Sequence, residues 1–336
     1  MKVKVAAVQP IGFYGDEEYK NAEKAAFYAD IAAGQGARLI VYPEGYPGPY
    51  SGPMDSGGKL DEAPLETLRK KAKEHGVYIY AGGAEPNPET EDTWFVAHDF
   101  ISPDGEVLAH YRRSHPTHPY MNNIYLGGRG RMHVTPGEEL PVIATEIGKI
   151  GLCMCSEIWA PEIPRVLTLK GAEIILAPGG GAPAPIRSRL RDNWHIIAGA
   201  RAIENVCYVV MNQIYHESTG GLGRTAVFGP EKALGALTTA GVLVAEFDLD
   251  RIWEIRNRYF DEEICSAPNS EKDLFFNRPG QIYDRRPELY GILVEKLDES
   301  FDYYYYKRGP DAYKEEFERV KGFNYWKGGG PGDDSQ

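Results

Sequence analysis

Two stretches of this 336-residue chain end an apolar run on a residue that can do chemistry. Ile150-Gly151-Leu152-Cys153-Met154-Cys155-Ser156-Glu157 is apolar on both phases, the mark of a buried strand, and turns polar at Cys155, ahead of a helix start at Pro161. A thiol at a strand end, on a rigid support and near positive charge, is placed to act as a nucleophile of lowered pKa. Cys153 reads as a small core hydrophobe. Residues 37–42 form the second run, which ends at Pro43-Glu44-Gly45-Tyr46-Pro47-Gly48. A carboxylate at the mouth of an apolar strand is suited to be a desolvated general base. Taken singly, such a cysteine is more often packing and such a glutamate a cap or surface charge. Their joint occurrence gives them weight.

Composition narrows the function classes. With 42% hydrophobic content the chain can bury one large core or two modest ones, and alternating strand and helix signals favour one large α/β domain. A net charge of −12 argues against nucleic acid or an anionic membrane as partner. The four cysteines show no paired spacing, the N-terminus opens directly on a strand, and no apolar run is long enough to span a bilayer. A cytoplasmic protein without a disulfide framework is therefore expected. Among the eight histidines, His110, His115 and His118 come closest to a metal cluster, but they lack thiolate or carboxylate partners at a useful spacing. Neither a metal nor another cofactor is expected.

The elements that position these residues follow from pattern. Residues 2–9 read as an opening strand, and Asp16 as the cap of a helix with the stripe Ala22, Ala25, Ala26, Ala29 and Ile31. The strand over 37–42 delivers Glu44 into a Pro/Gly-rich loop running to Gly58, with Tyr46 and Tyr50 as candidate substrate contacts. A helix over 64–75, a strand over 77–81 and a hairpin of strands 93–101 and 106–111 come next. Arg112-Arg113 then leave the sheet for a Gly- and Asn-rich loop reaching about Pro136, long enough to suggest function. Residues 142–157 hold a hairpin and the cysteine strand, 161–170 a helix and 173–177 a strand. The helix over 185–205 carries Arg187, Arg189, Arg191 and Arg201, read as a solvated or partner-facing side. Strands 207–212, 225–228 and 243–249 complete a sheet edge before a last helix. Residues 1–260 thus read as one domain of two sheet-plus-helix halves, split near residue 135. Residues 261–336 read as a polar extension packing on the core or a partner subunit, with an end whose composition favours disorder.

In chain order, a strand ending in Pro43-Glu44, the basic Arg112-Arg113 and a strand ending in Cys155-Ser156-Glu157 resemble the nitrilase, or carbon–nitrogen hydrolase, superfamily. Gly171-Ala172-Glu173-Ile174-Ile175, Ala200-Arg201-Ala202-Ile203-Glu204-Asn205 and Arg285-Arg286-Pro287-Glu288-Leu289-Tyr290-Gly291 extend the likeness. The resemblance implies a four-layer α–β–β–α sandwich and a homodimer or higher homo-oligomer built through the cysteine-side helices and the C-terminal extension. It also implies hydrolysis of non-peptide carbon–nitrogen bonds by a Glu, Lys and Cys triad. Glu44 would be the general base, Cys155 the nucleophile, and Arg113 the residue at the lysine position. Arg113 and the Ser156 backbone N–H would then hold the anionic tetrahedral intermediate.

Two departures from the family pattern matter. Arginine keeps the lysine's positive charge but is planar and essentially never deprotonated, and no lysine lies between Lys73 and Lys149 to replace it. The family's second glutamate is also missing, since no Asp or Glu lies between Arg113 and Pro136. His118 and Asn122 are candidate substrate contacts there, and Glu157 is the nearest remaining acidic candidate, with a salt-bridging or helix-capping role as its alternative. The leading expectation is a small aliphatic amide cleaved to carboxylic acid and ammonia through a Cys155 thioester. The alternatives are a nitrile substrate and a catalytically silent binding or scaffold member, the latter motivated by Arg113.

Overall fold

The computed structural model describes residues 1–49, 58–91, 93–115, 133–180, 188–215, 224–263, 282–298, 300–308 and 312–322. Tyr50, His118, Asn122 and the end of the chain from residue 323 lie outside them. The first part of the chain runs β1 (Lys2–Gln9), α1 (Lys20–Gly34), β2 (Leu39–Val41), α2 (Pro64–His75), β3 (Tyr78–Pro86), β4 (Thr93–Ile101), β5 (Val107–Arg112) and a short β6 (His133–Val134). The second runs β7 (Val142–Thr145), β8 (Gly148–Leu152), α3 (Glu162–Leu169), β9 (Ile174–Leu176), α4 (Ser188–Asn205), β10 (Tyr208–Met211), β11 (Ala226–Phe228) and β12 (Ala233–Ala236). Then come β13 (Gly241–Asp248), α5 (Leu249–Asn257) and, near the C-terminus, α6 (Ala312–Lys321).

One sheet has the order β13-β1-β2-β3-β4-β5 with β6 beside β4, and the other β12-β11-β10-β9-β8-β7. Each has a parallel centre, β1-β2-β3 and β8-β9-β10, flanked by antiparallel strands. Parallel strands buried on both faces explain the unbroken apolar runs. Leu39 and Val41 meet Leu152, Ile174, Leu176 and Val210 between the sheets. Ile40 and Tyr42 face the other way, onto Ala25 and Ala29 of α1 and Leu68 of α2. Cys153, Ile175 and Ala177 of the second sheet pack against Leu167 of α3 and Ala198 and Ala202 of α4. The result is the α–β–β–α sandwich.

Four local expectations are corrected. Asp16 lies in a short 3-10 turn, Gly15–Glu17, and the helix begins only at Lys20. The cysteine strand stops at Leu152, so that Cys155 opens a 3-10 turn, Cys155–Trp159. Arg201 turns inward: its Nε donates to the Ile158 carbonyl and its Nη2 to that of Trp159, both at 3.0 Å, bracing this turn. Finally, the two halves are not self-contained, because β13 crosses back to pair with β1 from Lys2↔Asp248 to Gln9↔Gly241. That pairing covers an edge β1 would otherwise leave open. Asn212, just past β10, ties the sheets together by donating to the carbonyls of Val8 (2.9 Å) and Val41 (2.8 Å).

The strand that leads to Arg113 has its own anchor. His110 on β5 reaches Asp99 at 2.7 Å and Glu85 at 3.0 Å, and Arg112 bonds Glu85 as well. The Asp99 and Glu85 bonds push the imidazole pKa up to about 9. A folded-state pKa above the unfolded value of 6.5 means that this stabilisation is complete below pH 6.5 and is lost as pH rises through about 9. Because the ring is 42% exposed, solvent screening limits the effect to about 1 kcal/mol. Urea unfolding should show that loss on going from pH 6.5 to 9 in the protein as given and a flatter profile in His110→Ala.

Candidate active site

The carboxyl ends of the parallel strands converge, as they do wherever α/β sheets build ligand sites. Past β2, Tyr46 N–H closes a turn onto the Pro43 carbonyl at 3.0 Å, with Gly45 at φ 72°, and Glu44 sits inside that turn. Past β8, Cys155 has φ 53°, a left-handed conformation that costs a non-glycine residue about 1–2 kcal/mol. Its N–H donates to the Pro178 carbonyl at 2.7 Å, which helps to hold that strain. Past β9, Gly180 N–H donates to Glu44 Oε2 at 2.9 Å. From the end of β5 comes Arg113.

Arg113 and Glu44 form a buried ion pair, Nη1 to Oε1 at 2.8 Å, with side chains 7% and 10% exposed. Arg113 Nε donates to the His115 carbonyl at 3.2 Å and Nη2 to the Ser156 hydroxyl. Burial works against the guanidinium's charge, but Glu44, Cys155 and Glu157 outweigh it and hold its pKa above the ordinary value. The Cys155 thiol is pushed up to about 12, first by burial and then by the Glu44 carboxylate, with Arg113 pulling the other way. The lowered pKa expected from the sequence is therefore overturned. A raised thiol pKa beside a carboxylate suits general-base activation rather than a standing thiolate.

Glu157 is fully buried and accepts from both sides. Oε1 takes the Ser114 hydroxyl at 2.7 Å and the His115 N–H at 2.6 Å, while Oε2 takes the Tyr111 hydroxyl and the Met154 N–H, each at 2.6 Å. All its strong acceptor positions are filled by the protein, so the structure gives it a bracing role instead of a place against substrate. Tyr46 also stands elsewhere than expected. Its fully buried ring stacks on Tyr42 at 6.0 Å among the α1 alanines, on the helix side of the sheet. Ser156 does lie in the site, beside Arg113.

Residues 4–257 match the carbon–nitrogen hydrolase family model. The chain belongs to the carbon–nitrogen hydrolase family. Similar proteins include the deaminated glutathione amidase of Homo sapiens, 29% identical over 84% of this chain and 82% of that protein. The omega-amidase NIT2 of Danio rerio is 25% identical over 71% of this chain and 86% of its own. In fold, the chain resembles a carbon–nitrogen hydrolase from Helicobacter pylori G27 at a TM-score of 0.67 and 22% identity, covering 88% of this chain and all of that one. It also resembles a mutant of the amidase from Nesterenkonia sp. AN1 that shows covalent addition of the acetamide moiety of fluoroacetamide at the active site cysteine, at a TM-score of 0.59 and 21% identity over 78% and 96% of the two chains.

In this carbon–nitrogen hydrolase several site residues escaped sequence reading. Gly180, Tyr111 and Ser114 act through contacts far apart in sequence, although Pro178-Gly179-Gly180 after an apolar strand is a signal that could have flagged the first. The C-terminal extension reaches the neighbourhood as well, with the Tyr303 ring 5.5 Å from that of His115. A cavity of about 510 Å³ on the flank of β5 is lined by Asn87, Phe95, Arg112, Glu138 and Lys307, and not by Cys155. Among the described residues, Asp30, Glu74 and His75 group as potential metal ligands, but the Lys71 ammonium already bonds Asp30 at 2.8 Å and Glu74 at 2.9 Å. No helix among the described residues is long and apolar enough to cross a membrane.

The bracing role of Glu157 has a measurable size. Whichever way its amide turns, Glu157→Gln sets the N–H₂ against one hydroxyl and one backbone N–H that cannot reverse, and should cost about 2–4 kcal/mol in chemical unfolding. A loss under about 0.5 kcal/mol, the range of an ordinary surface change, would contradict it.

Proposed function

We propose that Cys155, Glu44 and Arg113 hydrolyse a small aliphatic amide to carboxylic acid and ammonia. The observation that carries this reading is Glu44, whose two oxygens are fixed by Arg113 Nη1 at 2.8 Å and Gly180 N–H at 2.9 Å close enough to Cys155 for its charge to act on the thiol. Glu44 takes the thiol proton as sulfur bonds to the amide carbon, and the carbonyl oxygen gains the negative charge. Arg113 and the Ser156 backbone N–H stabilise that oxyanion. Glu44 then passes its proton to the nitrogen, the C–N bond breaks, ammonia leaves and a thioester remains. Water, deprotonated by Glu44, attacks the thioester, and the C–S bond breaks to release the acid and restore the thiol.

An arginine suits this scheme because Glu44 makes both proton transfers and Arg113 needs only to supply charge. Its fork spans Glu44 and Ser156 together, which a single ammonium does less well. This fixed placement beside the thiol favours an active enzyme over a silent one. The amidase names of the similar proteins support an amide over a nitrile.

Ammonia release from a panel of short amides, nitriles and N-carbamoyl compounds tests the proposal. Amide turnover is expected in the protein as given, none in Cys155→Ala, and a fall of about 10²–10³-fold in kcat in Arg113→Met. Turnover of nitriles alone would overturn the substrate class. Amide turnover that appears only in Arg113→Lys would mean that the arginine silences the site.

A further inference from the structure

We infer that His98, on β4, is a positioning residue for the general base, holding the turn that carries Glu44. The inference rests on the proposed role of Glu44 and extends it to a side chain two strands away. Gly45, the residue after Glu44, donates its N–H to His98 Nε2 at 3.1 Å in a fully buried setting. Since a backbone N–H can only donate, Nε2 must be an unprotonated acceptor, and the proton of the neutral ring sits on Nδ1. Burial pushes the imidazole pKa down to about 3, so the acceptor persists at any pH at which the enzyme would work.

The reach of His98 is built into the sheet. Strand β3 lies between β2 and β4, and His98 pairs in register with Gly82 of β3. A side chain at Gly82 would overlap the Ala97 carbonyl and the His98 ring, so glycine there lets the imidazole lie across β3 to the turn beyond β2. Tyr80 fixes the ring edge-on from below, with centroids 4.7 Å apart and planes at 63°. Backbone bonds zip the same loop to the same glycine, Gly82 N–H to the Tyr46 carbonyl at 3.0 Å and Gly48 N–H to the Gly82 carbonyl at 3.2 Å. Those bonds hold the loop after Tyr46, whereas His98 holds the residue that follows the base itself. Without an acceptor there, the buried Gly45 N–H would be unsatisfied and the turn would shift to find one, carrying Glu44 from the thiol.

The test separates reach from polarity. His98→Gln puts an amide oxygen near the place of Nε2, His98→Asn carries the same amide one methylene short, and His98→Phe keeps the ring volume without an acceptor. On an amide that the enzyme turns over, kcat should fall about 10²-fold in His98→Asn and His98→Phe with KM within about threefold, and His98→Gln should restore kcat to within about fivefold. Should His98→Asn not fold, His98→Phe against His98→Gln makes the same comparison. Glu44→Gln, run alongside, guards the premise. If it abolishes turnover while His98→Asn and His98→Phe keep kcat, or while all three His98 variants fall alike, His98 is a packing residue and the inference fails. If Glu44→Gln itself turns over normally, the base assignment falls and takes the inference with it.

Discussion

One buried carboxylate holds the turns of the candidate site together. Glu157 accepts from Met154, at the entry to the cysteine turn, and from Tyr111, Ser114 and His115, which surround Arg113. Cys155 comes from the second sheet and Arg113 from the first, so their relative placement depends on a bond between the sheets. A charged acceptor with several donors supplies both energy and direction, and a low-dielectric surrounding makes each of those bonds costly to leave unmade. The left-handed backbone at Cys155 persists because this brace and the Pro178 carbonyl over-determine it.

A second layer of constraint keeps the sheets aligned. Asn212 ties the end of β10 to the carbonyls of Val8 and Val41, directly below the turn bearing Glu44. Gln9 makes a further link at the end of β1, accepting from Thr225 N–H at 3.2 Å and donating to the Thr239 carbonyl at 2.7 Å. Polar side chains at the strand ends thus take up backbone groups that the ladders no longer satisfy. The site occupies the point where the two parallel centres run out.

The substitution of arginine for the family's lysine reads differently once the geometry is known. In sequence it leaves an active hydrolase as the leading expectation and motivates a silent member as the alternative, because arginine is a poor proton shuttle. In the structure burial and the Glu44 carboxylate hold the Cys155 thiol pKa up, and Arg113 pairs with Glu44 at 2.8 Å, so in the proposed scheme the proton path runs through the carboxylate and Arg113 contributes charge. The missing acidic residue in the loop after Arg113 falls where residues 116–132 lie outside the described part.

Local pattern alone was enough to find the apolar runs of β2 and β8, the helix Pro64–His75, the β4–β5 hairpin and the order Glu44, Arg113, Cys155. These are properties of neighbours in the chain: periodicity, caps, and the abrupt polarity change where a strand surfaces. Which of two buried faces a side chain takes is not a local property, so the sequence leaves Tyr46 open between substrate contact and packing, and only the fold turns it onto the α1 alanines. The partner of an edge is not local either. Strand β13 returns to β1 across the whole chain because only the assembled sheet has an open edge to fill. The thiol's raised pKa, the four donors around Glu157 and the bond from Gly45 to His98 arise from burial and from contacts between residues distant in sequence. The sequence by itself offered the candidates, Glu44 and Cys155 from the abrupt polarity change at strand ends and Arg113 through the family resemblance. Only tertiary structure decided their charge states and supports, because desolvation and long-range hydrogen bonds exist once the sheets have stacked.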